Sequence, residues 1–223
     1  MNRAPLTRLA GVLYLIIILC GVGSEALVRG PLLAGDTAGL TARLAAAELP
    51  FRLSVLADVL MALSDVGVGA LLYFLFAPVD RVLSLTAMAF RLAQAAILGL
   101  NLQNLDRALA LSQGDGAPAL ASDASIRAAL EAHATGYDLG LFFFAVNCLL
   151  VGALIRRASF IAAAYGWLLS AAGLVYLIGS TLRVIAPAYA EAFAPAYVIP
   201  LIAELGFCVW LLRQPGGAAP SRS

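Results

Sequence analysis

A chain of 223 residues with 62% apolar and 12% charged side chains stands apart from soluble domains, which run about 45–50% apolar and about 25% charged. A net charge of +1 excludes the basic surface that attracts nucleic acid, and the 20 glycines and 10 prolines follow no Gly-X-Y period. Charge content this low with so many apolar groups also excludes a disordered chain, so the solvent that fits the composition is lipid.

At about 20 residues per spanning helix there is room for about six spans. Charge-poor apolar runs place them at about Leu9–Val28, Leu53–Ala77, Val82–Leu105, Ala134–Ile155, Phe160–Leu182 and Ala196–Leu212. Helices are expected for all, because hydrocarbon leaves no partner for backbone outside a helix or closed barrel and the runs lack a strand's alternation. The expected fold is therefore all-α, a polytopic bundle of six transmembrane helices.

Arg3 and Arg8 ahead of the first run resemble the start of a secretory signal, but Gly23-Ser24-Glu25-Ala26 is a poor cleavage site, so an uncleaved first span is expected. Asp36–Leu49, with Leu40 and Leu44 one turn apart and Pro50 as a stop, reads as a short helix on the membrane surface in the first outer loop. The second span carries Asp58 and Asp65, and the tight turn Pro78-Val79-Asp80 makes spans two and three antiparallel neighbours. Gly114 to Pro118 reads as a flexible turn. Ser122–Ala132, capped by Ser122 or Asp123, runs as a helix into span four. Span five is uncharged from Ala158 to Leu182. Residues 1–214 form a single membrane domain in this reading, and 215–223 a disordered cytoplasmic tail.

With the N-terminus inside, Arg3, Arg8, Arg81, Arg156, Arg157, Arg213 and Arg222 face the cytoplasm and six other arginines the opposite side. The count alone barely discriminates. The short inner loops, whose arginines abut the span ends, favour cytoplasmic termini and a multi-pass protein of the cell inner membrane. All 14 basic residues are Arg, which codon bias explains. Cys20, Cys148 and Cys208 lie inside spans without CxxC spacing and read as packing residues.

Ionisable groups within a span cost about 2.5–3.5 kcal/mol each on insertion scales, so they face the interior and seek partners. By depth, Asp65 on span two meets Arg91 on span three, and Glu204 on span six reaches the same level. Asp65, Arg91 and Glu204 form an expected buried ion-pair layer. Such a layer can fix helix register, but two acids beside one guanidinium leave a carboxylate in excess, a group suited to bind a proton. An outer polar pocket is expected from Glu25, Arg29, Asp58, Gln94, Asn101, His133, Tyr137 and Asp138, with Glu25 and Arg29 paired at i,i+4.

His133 is the only histidine, and it stands about 140° around the helix from Asp138, too far to chelate one ion together. A capped interfacial residue is its plainer role. No metal site, no cofactor and no catalytic residue is expected, and no GxSxG, HExxH, Walker or GxGxxG pattern is present. Gly136 with Gly140, and Gly166, Ser170, Gly173 and Ser180, read as close-packing faces, while Trp167, Trp210, Tyr165 and Tyr189 suit interfacial anchoring. Spans one to three do not recur as four to six, against an inverted repeat.

Arg8-Leu-Ala-Gly-Val-Leu-Tyr14, Gly-Ser-Glu25, Phe51-Arg52 through Asp58 and Asp65, Arg91-Leu-Ala-Gln94-Ala, His133-Ala-Thr-Gly-Tyr-Asp138-Leu-Gly140 and Glu204 near Trp210 resemble the bacterial domain-of-unknown-function family 4386. The resemblance covers nearly the whole chain. It implies a multi-span membrane protein of about this length and transfers no activity. The expected function is non-enzymatic binding or transport of protons, an ion or a small solute, with the lipid bilayer as surroundings and no nucleic-acid partner. The alternatives are an intramembrane enzyme acting on a lipid through His133 and the outer carboxylates, or a structural accessory subunit.

Overall fold

The computed structural model of the protein describes residues 3–114 and 122–213, and every described element is helical. The turn expected at 115–118 and the tail at 215–223 lie outside the described residues. In chain order the helices are α1 (Arg3–Ser24), α2 (Gly30–Leu33), α3 (Leu40–Ala46), α4 (Glu48–Phe76), α5 (Arg81–Gln113), α6 (Asp123–Arg157), α7 (Ala163–Ile185), α8 (Ala190–Phe193) and α9 (Val198–Leu212). Six helical stretches among the described residues are long and apolar enough to cross a membrane: Pro5–Leu33, Glu48–Phe76, Arg81–Gln113, Asp123–Arg157, Ala163–Ile185 and Pro187–Leu212. The protein is all-α and polytopic.

Several boundaries differ from the sequence reading for identifiable reasons. Pro50 does not stop a helix; it lies in the first turn of α4, where a missing N–H leaves no intrahelical bond unmade. Between α1 and α2 the residues Glu25–Arg29 form a π-turn in which the Gly30 N–H bonds the Glu25 carbonyl. Pro31 follows immediately, and its absent N–H removes one rung that would hold an ordinary α-helix there. The stretch before α9 alternates α8 with 3₁₀ turns at Pro187–Tyr189 and Ala194–Tyr197, as Pro187 and Pro195 interrupt the hydrogen-bond ladder.

The described residues pack as two compact units, the first drawn from 3–15, 64–94 and 141–213, the second from 16–63, 95–114 and 122–140. In the second unit α3 turns two leucines inward. Its Leu40 and Leu44 are fully buried in a cluster with Leu32, Phe51, Leu105, Leu109, Ile126 and Leu130. This explains why α5 and α6 outrun their expected spans: their added turns supply half of that apolar core. Ser122 Oγ caps α6 by accepting the Ser125 N–H at 3.2 Å. The carboxylate of Asp123 is thereby free to cap α3 from a distance, accepting the Gly39 N–H at 2.7 Å, the Thr41 N–H at 2.8 Å and the Thr41 hydroxyl.

In the first unit α7 packs on α9, and small residues bring α6 and α7 together. A Cβ added to Gly152 would fall 2.6 Å from the Gly166 carbonyl oxygen, and one added to Gly166 would fall 2.6 Å from that of Gly152. Backbone meets backbone there, which only side chains of this size allow. Arg156 closes the same contact, donating to the Gly166 carbonyl and to Ser170 Oγ while its guanidinium lies 4.4 Å from the centre of the Trp167 ring.

Candidate functional site

The four-residue link between α4 and α5 sets the register of the first unit's polar residues. Asp80 Oδ1 accepts the Leu83 N–H at 3.0 Å, starting α5 cleanly, and Ser84 Oγ donates to the Tyr73 carbonyl at 3.1 Å. From that start the two helices bring Arg91 Nη2 to 2.7 Å from Asp65 Oδ1, both side chains almost wholly buried. The second oxygen, Asp65 Oδ2, accepts from Gln94 Nε2 at 3.2 Å. Gln94, expected in the outer pocket, therefore joins Asp65: it stands one turn beyond Arg91, and the same helix face carries both to the same acid.

The rest of the Arg91 guanidinium is held by aromatic faces and an amide. Its central carbon lies 5.0 Å from the Tyr14 ring centre and 5.2 Å from that of Phe144, and Nη1 donates to Asn147 Oδ1 at 3.5 Å. Asn147 Nδ2 is anchored on the Ala87 carbonyl at 2.7 Å, which fixes the amide's direction. Two cavities of about 10 Å³ each adjoin this cation, room for about one water apiece. Gly69, Tyr73, Ser84, Arg91 and Asn147 are among the walls of one; Tyr14, Arg91, Asn147, Cys148 and Phe207 line the other.

Glu204 is buried in the same unit on different partners. Tyr14 donates its hydroxyl to Oε2 at 3.3 Å, and the Tyr176 hydroxyl donates to Oε1. Among the described residues no ion pair joins Glu204 to Arg91; Tyr14 stands between them, its ring against the guanidinium and its hydroxyl on the carboxylate. The expected triad is thus one ion pair, Asp65 with Arg91, and one carboxylate carried by two tyrosines.

The second unit holds the remaining predicted residues. Arg29 Nη1 lies 2.6 Å from Asp58 Oδ2, with both side chains buried, and Arg29 Nε lies 3.0 Å from Glu25 Oε2, which is exposed. The π-turn that contains them turns Arg29 inward while its acid partner stays at the surface. Ser24 Oγ donates to the Ser54 carbonyl at 3.2 Å on the same pair of helices. His133 is buried on α6, its Nδ1 3.1 Å from Asn101 Nδ2, which also donates to the His133 carbonyl at 2.8 Å. Asn104 Nδ2 donates to Asn101 Oδ1 at 2.9 Å, and the Tyr137 ring lies 6.3 Å from that of His133. Asp138 is buried one turn further along α6. The helices approach closely here, since a Cβ on Gly136 would meet Asn101 Oδ1 at 2.1 Å. Among the described residues no group of three or more His, Cys, Asp or Glu side chains is placed to hold a metal ion.

Tyr176, Asn147 and Phe144 were not singled out by the sequence reading. Asn147 had a usable signal, being a lone amide between apolar residues of span four, and Tyr176 a weaker one as a tyrosine well inside span five rather than at its start. Phe144 had none, because a phenylalanine in a span reads as lipid-facing or core with equal ease.

Six long apolar helices that bury several charged side chains within their length define an integral multi-pass membrane protein. Residues 9–214 match the family described as Domain of unknown function (DUF4386), and the chain belongs to that family. Neither a curated protein nor a solved structure matches it.

Proposed function

We infer that the protein is a non-enzymatic membrane protein that binds and exchanges protons, with Glu204 as the exchanging group. One observation carries this reading: of the two buried carboxylates around Arg91, Asp65 takes the cation as its ion-pair partner, while Glu204 among the described residues is hydrogen-bonded by two hydroxyls and feels Arg91 only from beyond ion-pair distance. A carboxylate in a membrane span without a direct ion-pair partner is the group for which a proton changes most in energy. The cavity that Tyr14 lines with Arg91 and Asn147 supports the reading by leaving room for about one water beside a residue whose hydroxyl reaches Glu204. Placement in the cell inner membrane with both termini cytoplasmic belongs to the same reading and rests on the arginines that abut the short loops at 77–80 and 158–162.

The test is infrared spectroscopy of the full chain in lipid nanodiscs as the pH is lowered. The wild type is expected to gain a protonated-carboxyl band that Glu204→Gln lacks. Identical spectra from the two proteins would overturn the reading.

A further inference from the structure

The polar groups around Glu204 continue beyond it in one direction. Tyr176, the donor to Oε1, is only half-buried, whereas Glu204 and Tyr14 are buried. Against the Tyr176 ring, at 5.9 Å between centres and 66° between planes, lies Tyr197. Tyr197 closes the interrupted segment Pro187–Tyr197 ahead of α9, and Phe193 packs on it at 6.3 Å. Its hydroxyl sits over Gly179, one turn along α7 from Tyr176, where a Cβ would come within 2.3 Å of the oxygen. The bare glycine seats a phenol hydroxyl beside the next phenol on the route to the acid. The other hydroxyl on Glu204, that of Tyr14, leads instead toward Arg91 and the two cavities.

We propose that Tyr176 is the proton relay of Glu204, connecting it to the face of the membrane that carries residues 187–197, with Tyr197 on its Gly179 seat as the next donor. This rests on Glu204 being the proton-binding group. In the uptake step the Tyr176 O–H breaks as an O–H forms on Glu204 Oε1, the Tyr176 oxygen takes the proton of the Tyr197 hydroxyl, and the Tyr197 oxygen takes one from water, so that both phenols end as they began and the net change is one proton gained by Glu204. The segment 187–197 carries two aromatic hydroxyls, at 189 and 197, each at the end of one of its 3₁₀ turns.

Rapid pH-jump infrared measurements on the full chain in nanodiscs separate the two ideas. The equilibrium height of the band lost in Glu204→Gln reports proton binding; its rate of appearance reports the route. Tyr176→Phe also deletes a donor to the carboxylate and so moves the pH midpoint of the band; compared at saturating acid, the band should still form but rise about a hundredfold more slowly than in the wild type, the low end of what a positioned acid–base group contributes. Tyr197→Phe should slow it in the same sense, and Tyr165→Phe on the same helix should not. A Tyr176→Phe rate within about twofold of wild type overturns the relay while leaving Glu204 as the site. Absence of the band in the wild type overturns the proton-binding reading itself. If Tyr176→Phe does not fold, Tyr197→Phe decides by the same criterion, since a hydroxyl removed from the half-buried Tyr197 leaves α9 packing intact.

Discussion

Replacing Arg91 with Met keeps most of the side chain's length while deleting its charge. Asp65 would then be left buried with Gln94 Nε2 at 3.2 Å as its remaining donor. Breaking a buried ion pair from one side costs about 3–5 kcal/mol, and the stacking of the guanidinium on Tyr14 and Phe144 adds about 1–2 kcal/mol more. Arg91→Met should therefore lose about 4–7 kcal/mol, a large share of the roughly 5–15 kcal/mol that holds a typical fold. The double variant Asp65→Leu with Arg91→Met removes both charges and fills the space with apolar atoms, so it should stand within about 2 kcal/mol of wild type. The assay is reversible unfolding of wild type, both single variants and the double variant in mixed micelles, read by loss of helical circular dichroism. A coupling energy of at least about 2 kcal/mol is expected between the two positions. A double variant no more stable than Arg91→Met would refute the reasoning, because it would mean that the stranded Asp65 charge was never the source of the damage.

Gly152→Ala should weaken the contact between α6 and α7 by about 1–3 kcal/mol, visible in the same unfolding assay, since its methyl would enter the Gly166 carbonyl. Asp123→Ala removes the acceptor of three hydrogen bonds to Gly39 and Thr41. Amide exchange across Leu40–Ala46 should quicken, along with tryptic cleavage at Arg43, while exchange in α7 stays unchanged; unaltered protection of α3 would argue that Leu40 and Leu44 alone hold it. Gly179→Ala should push the Tyr197 hydroxyl off its seat and slow proton uptake at Glu204 as Tyr197→Phe does, without changing the amount bound.

The spans were legible because their signal is composition, summed over about 20 residues at a time. Glu25 with Arg29, and Asp65 with Arg91, were legible for a related reason: depth along a helix follows from residue counting, and a charge in lipid has few places to go. Counting fails where the backbone departs from 3.6 residues per turn. The π-turn at Glu25–Arg29 needed Pro31 to be read as a breaker of one rung rather than of a helix. Glu204 shows another limit. Its level was predictable, but its choice of Tyr14 and Tyr176 over Arg91 depends on which way each helix is rotated, and a largely apolar sequence carries little information about rotation. The α3 helix itself was legible, but the partners of its leucines were not, because two leucines one turn apart look alike whether they meet acyl chains or the ends of α5 and α6.

The proposed function stands on Glu204, which among the described residues makes no direct ion pair with Arg91, taking up a proton. Potentiometric titration of unbuffered wild type and Glu204→Gln in the same nanodiscs counts that proton directly. The account predicts that the wild type absorbs one more proton per chain than the variant on acidification; superimposable titration curves would contradict it.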